Sequence, residues 1–523
     1  MKSGMYDILL YYKTMDNLKS FLILAVSSSL FGLFLVTRYR RTRSLPPGPK
    51  GLPILGNING FQAEPGEPLW ITFLNLSRIY GDIFTFHVLG SRTIVLNSYE
   101  AITELFERRS QNYSDRPDMP MFTDLMGWGW DFAFMRHTDW WRLHRRTFHQ
   151  FFQPRVMPEY YDIQRARSAS LIQSLLTSPA NFFQHVRTHS GGVILEIVYG
   201  YQIQGDNDPY VQLADDAVAG MRESFIHGSF LVDYIPILKH VPTWFPGASF
   251  KTKAEVWSRD TDKLKELPWT RLKQSMAEGT AVPCFSTKHL ENFKISPTSS
   301  ESSDMEEVIK NCAAVSFAAG ADTTVSAMLS FILAMVLNPR VQKRAQEELD
   351  EVIGSSRLPD FSDRENLPYI NAILSETLRW KPVTPFSAPH RAVNDDIYEG
   401  YFIPGGSTII PNTWAVLHNE HLYGPDTLSF NPDRFMKQDG KDLPPSPDII
   451  AFGFGRRICP GRHLTINSIW LAMTYLLQSF TMVKEVDNEG KEIDPVIEYS
   501  DGLLSHPHPF NCRFISRSSA LIK

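Results

Sequence analysis

Only four cysteines, Cys284, Cys312, Cys459 and Cys512, are spread through 523 residues, and no two of them form a CxxC pair. That scarcity excludes a disulfide-built scaffold and a structural zinc site, and it fits a reducing compartment. Charge of one sign is missing too: 52 basic residues stand against 57 acidic ones, a formal net charge of −5. No excess of Lys and Arg is left over to hold a polyanion, so nucleic acid is not an expected partner. Nor does a GxGxxG follow a strand and open a helix, so the chain has no dinucleotide fingerprint of its own.

Long apolar runs are equally few. The first, residues 20–37, holds eighteen uncharged residues between Lys19 and Arg38, and as a helix it reaches about 27 Å, close to the hydrocarbon thickness of an endoplasmic reticulum bilayer. Arg38, Arg40, Arg41 and Arg43 follow it. The positive-inside rule then predicts a single transmembrane helix in contact with lipid, with the large part of the chain that follows in the cytosol and the short N-terminus across the membrane. Leu45-Pro46-Pro47-Gly48-Pro49 cannot continue a helix, because proline lacks the N–H and restricts its predecessor. The expected organisation is an anchor and basic flank over 1–44, a proline-rich hinge over 45–57, and a large domain over 58–523.

The second apolar run, 304–337, is apolar nearly all round and ends at Asn338-Pro339, the pattern of a helix buried through a core. In its middle lies Ala319-Gly320-Ala321-Asp322-Thr323-Thr324. Small residues there admit a flat group, whereas an acid and an alcohol inside a buried helix demand a reason. Elsewhere the periodicity predicts a helix over 70–80, strands over 83–86 and 93–96 turning at Gly90, short strands over 401–403 and 408–410 around Pro404-Gly405-Gly406, and a helix over 464–480. The interval 113–139 is irregular and rich in aromatics, which either pack beneath it or form a pocket wall.

Three constellations carry chemistry. Phe452-Gly453-Phe454-Gly455-Arg456-Arg457-Ile458-Cys459-Pro460-Gly461 sets one thiol among glycines and arginines just before a helix. Converging N–H groups and a helix dipole favour a thiolate there, and a buried thiolate needs a cation. Trp141 and Arg145, four apart on a helix, share a face on which both can donate to a carboxylate. Glu376 and Arg379, three apart, can bridge.

Phe452, Gly455, Arg457, Cys459 and Gly461 keep the spacing of the haem loop of the haem-thiolate monooxygenases. With Trp141-x-x-x-Arg145, Ala319-Gly320-x-Asp322-Thr323, Glu376-x-x-Arg379 and Pro432-Asp433-Arg434-Phe435 in order, the chain from Pro46 to Phe514 resembles the microsomal cytochrome P450 family, in particular fungal members that oxidise natural products or xenobiotics. The resemblance implies a mainly α fold with a minor β region and haem b as cofactor, with Cys459 as axial ligand to its iron and Phe452 and Gly461 beside the sulfur. It further implies that Trp141, Arg145 and Arg391 hold the haem propionates, with His390 a neighbouring candidate, and that Arg457 belongs to the cofactor-binding loop. Glu376, Arg379 and Arg434 would form a structural triad, Asp322 and Thr323 would bring solvent protons to dioxygen, and Phe122, Trp128, Phe386 and Leu504 would face a small hydrophobic substrate. The implied reaction is insertion of one oxygen atom from O2. Electrons would come from NADPH through a separate cytochrome P450 reductase docked on a basic face at Arg142, Arg146, Arg456, Arg457 and Arg462. Two rivals remain: a haem-thiolate isomerase or dehydratase, which shares the fold but lacks the acid and alcohol pair, and a membrane haem carrier or gas sensor without chemistry.

Overall fold

The run 304–337 becomes the axis of the fold. Residues 44–58, 66–224, 230–295 and 302–517 are described by the structure, a computed structural model; the expected membrane span at 20–37 lies outside them. The axial helix, Ser302–Leu337, has 36 residues and is about 54 Å long. Among the described residues it is the single helix long and apolar enough to cross a membrane, yet 78% of its apolar window is buried. Its greasiness serves the core: Phe317, Met328, Phe331 and Leu333 are wholly enclosed. Asn338 ends it, and Pro339 opens the next helix, Pro339–Val352, at the position where a missing N–H costs nothing.

Helix Phe182–Tyr199 is its main neighbour, and helices Pro209–Ser224, Asp139–Phe152, Pro368–Trp380 and Arg462–Ser479 pack around the rest. Gly320 makes the first contact possible, because a Cβ there would stand 3.0 Å from the Ile194 side chain. One small residue of the Ala-Gly-Ala stretch therefore answers to helix packing as well as to any ligand.

The β structure is minor. Strands β1 (Ile83–Val88) and β2 (Ser91–Leu96) form the expected hairpin, turning at Leu89 and Gly90, both at positive φ (49° and 88°) as a two-residue turn requires. The stretches on either side of Pro404-Gly405-Gly406 do not pair with each other. Tyr401–Ile403 (β5) pairs with Asp396–Tyr398 (β4), whereas Thr408–Pro411 (β6) runs parallel to β2 and antiparallel to His390–Arg391 (β3). Residues 394–405 form a small unit with the segment ending at Pro46, in which the Phe402 N–H donates to the Ser44 carbonyl at 2.7 Å. Near the C-terminus, Phe480–Val486 (β7) is flanked by Glu492–Ile493 (β8) and Cys512–Ser516 (β9).

Candidate active site

A cavity of about 320 Å³ lies between the axial helix and the Cys459 loop. Ala319, Gly320 and Thr323 wall one side; Phe452, Cys459 and Gly461 wall the other. On the helix side Thr323 Oγ1 donates to the Ala319 carbonyl at 2.8 Å, diverting a helical acceptor toward the cavity. Asp322, one residue earlier, turns the other way. Its carboxylate receives Arg222 Nη1 at 3.0 Å and faces His506 Nε2 at 3.0 Å. Burial opposes its charge, but His506, Arg222 and Arg187 outweigh burial and hold the carboxyl below the usual range.

The cysteine loop is held in shape by two glycines. Gly453 (φ 79°) and Gly455 (φ 54°) take left-handed backbone, and a Cβ on Gly455 would lie 2.0 Å from the Phe106 carbonyl oxygen. Gly461 needs no such freedom: it has φ −88° and open space where a Cβ would be, and its N–H, with that of Arg462, faces the sulfur. Burial pushes the Cys459 thiol up, and those two N–H groups, Arg145 and Arg462 offset only part of the rise. The N–H groups lower the thiol as expected, but burial outweighs them, so the protein alone does not favour the thiolate. A metal cation at the sulfur would.

Positive charge gathers at one end of the cavity. Helix Asp139–Phe152, capped by Thr138, presents Trp141 and Arg145 there together, with Arg116, His390 and Arg457 beside them. Arg457 donates to the carbonyls of Ser114 (2.7 Å), Phe132 (3.2 Å) and Met135 (2.7 Å) and lies 4.2 Å from the Trp141 ring. Arg116 donates to Ala133 (2.9 Å), Ala388 (2.7 Å) and Pro389 (2.6 Å). Arg145 Nη2 reaches the Ile458 carbonyl at 2.8 Å. Among the described residues none of the three has a carboxylate partner; the Asp131 carboxylate accepts the Ala133 N–H at 2.7 Å, and burial pushes that carboxyl up to about 7. Burial, then the neighbouring guanidinium of Arg116, pushes Arg457 down to about 8; burial pushes Arg116 down to about 10. The buried indole Nε1 of Trp141 has no acceptor. Three cations and an orphan donor above a sulfur fit a flat ligand that carries a metal at its centre and carboxylates on one edge, as the implied haem does.

Several expectations need correction. Arg391 does not face the cavity: it pairs with Asp115 at 3.3 Å, and its neighbour His390 points in instead, because successive side chains on a strand alternate. His390 is buried, its ring 2.6 Å from the Tyr113 carbonyl and stacked on Phe106, and burial drives it far below its ordinary value, so it is neutral. Arg457 likewise belongs to the cavity and leaves the basic outer face. On that face Arg142 is paired with Asp139, whereas Arg146 and Arg456 are exposed.

Phe122 and Trp128 do not line the cavity. They stack on each other with centroids 5.6 Å apart, Phe122 meeting Phe134 edge-on at 4.8 Å, and it is Phe132 and Phe134 that reach the cavity. Phe386 packs away from it against Trp70 and Phe73, each at 5.7 Å; Ser387 and Ala388 take its place, and Leu504 lines the wall with Leu503. Phe122→Ala should therefore cost about 3–5 kcal/mol of stability, read as a lowered Tm, while leaving unchanged the ligand affinities of the folded fraction. Sequence reasoning missed Arg116, one of two arginines in an otherwise aromatic, acidic interval; the other, Arg136, is taken up by Asp115 and Asp118.

The triad comes together in the interior. Arg379 forks onto Glu376 at 2.6 and 2.8 Å with both side chains wholly buried, and Arg434 Nε stands 3.7 Å from Glu376. Arg434 also donates to the carbonyls of Tyr423, Pro425 and Asp426. Helix Pro368–Trp380 is thus bolted to the segment leading into the cysteine loop.

Comparison with known proteins agrees with this geometry. The family model described as Cytochrome P450 matches residues 46–514. A cytochrome P450 monooxygenase of Armillaria gallica is 42% identical over 487 residues, covering 92% of this chain and 94% of its own length. A Postia placenta cytochrome P450 monooxygenase is 40% identical over 490 residues, 93% of each chain. The tryptamine 4-monooxygenase of Psilocybe cyanescens is 37% identical over 510 residues, covering 96% of this chain and 99% of its own. Enzymes of this family use a haem-thiolate cofactor, dioxygen and a redox partner. A family match along nine-tenths of the length, meeting a cavity built for an anionic metal ligand, leaves one conclusion: the chain belongs to the cytochrome P450 family and is a monooxygenase.

Proposed function

We propose that Cys459 holds the haem iron and that Trp141, Arg116, Arg145 and Arg457 hold the haem carboxylates, with Arg116 in the place first expected of Arg391. The observation that supports this best is the cluster of buried Arg116 and Arg457 with half-buried Arg145, none of them in an ion pair among the described residues, around an unpartnered indole N–H. Bound there, haem supplies the activation of O2 from which one oxygen atom is inserted into substrate. The chain's own residues do the rest. Phe132, Phe134, Leu503 and Leu504 exclude water and orient an apolar molecule. Thr323 Oγ1, held by the Ala319 carbonyl, carries a proton to the cavity, and Asp322 replenishes it. Glu376, Arg379 and Arg434 keep the cofactor's walls in register.

The substrate is a small hydrophobic molecule of aromatic, terpenoid or polyketide type, met in secondary metabolism or xenobiotic oxidation. An aromatic cavity wall and relatives from fungi, one of them named for oxidation of tryptamine, support that class. NADPH delivers electrons through cytochrome P450 reductase, for which exposed Arg146 and Arg456 offer a basic landing site. The catalytic domain follows an endoplasmic reticulum anchor at 20–37. Ile237, Trp244 and Phe245, 73%, 79% and 50% exposed, are suited to lying in a lipid interface.

Reconstitution with the reductase tests the whole reading: a panel of apolar compounds is screened for the substrate-induced spin-state shift, and product is measured against NADPH consumed. Thr323→Ala should lower product per NADPH by roughly 10²-fold with peroxide rising in its place, the scale of a lost proton-transfer group. Unchanged coupling would remove Thr323 from the reaction.

A further inference from the structure

Asp322 is 3% exposed and cannot take a proton from bulk water. Among the described residues, two side chains touch its carboxylate. Arg222 Nη1 lies 3.0 Å from Oδ1 and is braced at its other nitrogen by Asp215 at 3.3 Å, to which Arg187 also donates at 2.6 Å. A guanidinium is a far poorer proton carrier than an imidazole, so this side holds the carboxylate without feeding it. The other contact is His506 Nε2, 3.0 Å from Oδ2, on a side chain 13% exposed. Imidazole is the side chain that takes and releases protons under these conditions.

We infer that His506 is the entry point for protons that reach Asp322, and that Arg222 latches the carboxylate between deliveries. This rests on the reading that Asp322 and Thr323 supply protons to the cavity. In the step, the imidazolium Nε2–H bond breaks, the proton passes to Asp322 Oδ2, and the neutral ring recovers a proton from solvent; no electrons change hands. The charged groups facing the pair are Arg222 and Asp215 from helix Pro209–Ser224, Arg187 from helix Phe182–Tyr199, and Asp322 itself. The position of the histidine is built into the fold. Its loop is fixed by the Ser505 N–H to the Val383 carbonyl at 2.8 Å, by the Ser326 hydroxyl to the Ser505 carbonyl, and by the His506 N–H to Ser500 Oγ at 2.9 Å. The same loop puts Leu503 and Leu504 on the cavity wall, so one short segment meets both substrate and acid.

A rival route exists. A void of about 10 Å³ lined by Arg187, Asp215, Ala321 and Asp322 adjoins the carboxylate, about the room one water needs. The test compares H506Q, which keeps an amide donor but cannot carry a proton, with D215N, which alters the void, using full-length holoenzyme with reductase. For H506Q the expected result is product per NADPH lowered on the order of 10²-fold, a larger solvent deuterium isotope effect, and an unchanged substrate-induced spectral shift. Thermal unfolding of H506Q, D322N and the double variant, with non-additive shifts in Tm, reports the contact without turnover. If H506Q does not accumulate folded, H506N serves in the same assays. Coupling and isotope effect like those of the unaltered protein, or their loss in D215N rather than H506Q, would overturn the inference. If T323A and D322N both leave coupling unchanged, the underlying reading fails instead.

Discussion

Replacing Cys459 with Ser should abolish oxygenation, lowering product formation beyond the ~100-fold that changes to groups around a metal ligand typically cost. Burial already pushes the thiol up, and two backbone N–H groups with Arg145 and Arg462 bring it only part of the way back. Iron can complete that ionisation for a soft sulfur, whereas a buried serine hydroxyl starts from a far higher proton affinity and stays neutral. The arginines and Trp141 remain in C459S, so porphyrin is still captured, with a reduced carbon monoxide spectrum lacking the thiolate band. A C459S protein with that band and with turnover intact would show that the iron is held elsewhere.

The next largest effect falls far from substrate. Arg379→Ala leaves Glu376, wholly buried, with Arg434 at 3.7 Å as its remaining cation. Burial already holds the Glu376 carboxyl above its ordinary range in spite of both arginines, so losing the forked partner strands a charge the interior cannot solvate. Breaking such a pair typically costs about 3–5 kcal/mol, against a total stability of roughly 5–15 kcal/mol for a domain. The expected outcome is little haem-loaded protein at 37 °C and a Tm lower by many degrees. Arg379→Lys should not rescue it, because one ammonium cannot reproduce two parallel hydrogen bonds and the further bonds to the Leu417 and Ser429 carbonyls. A glutamine at 376 combined with methionine at 379 should be no worse than Arg379→Ala alone, since it strands no charge. Additive losses in that double variant would mean the pair acts through packing rather than charge.

What the sequence could announce were features fixed by local chemistry. The axial helix declares itself through its apolar periphery and Asn338-Pro339, the hairpin through Gly90, and the cysteine loop through glycines whose φ only glycine adopts easily. Trp141 and Arg145 reach the cavity together because helical geometry alone puts residues four apart on one face. The failures come from facts that are not local. Whether His390 or Arg391 turns inward depends on which face of a two-residue strand meets β6, and nothing in the dipeptide records that. Phe122, Trp128 and Phe386 are as apolar as any pocket residue; the partners that claim them, Phe134, Trp70 and Phe73, are set by tertiary packing. Arg116 and His506 escaped for the same reason, since each acquires its meaning from a group more than a hundred residues away: the Ala388 and Pro389 carbonyls for one, Asp322 for the other.

The fastening of segment 113–139 has a practical corollary. Its main-chain carbonyls at Ser114, Phe132, Ala133 and Met135 are the acceptors that steady Arg457 and Arg116. Roof and cradle are therefore one mechanical part, and a library that reshapes the roof to admit new molecules would also loosen the grip below. Diversification is better tolerated at Leu503 and Leu504, which border the same space from a loop that shares none of those moorings.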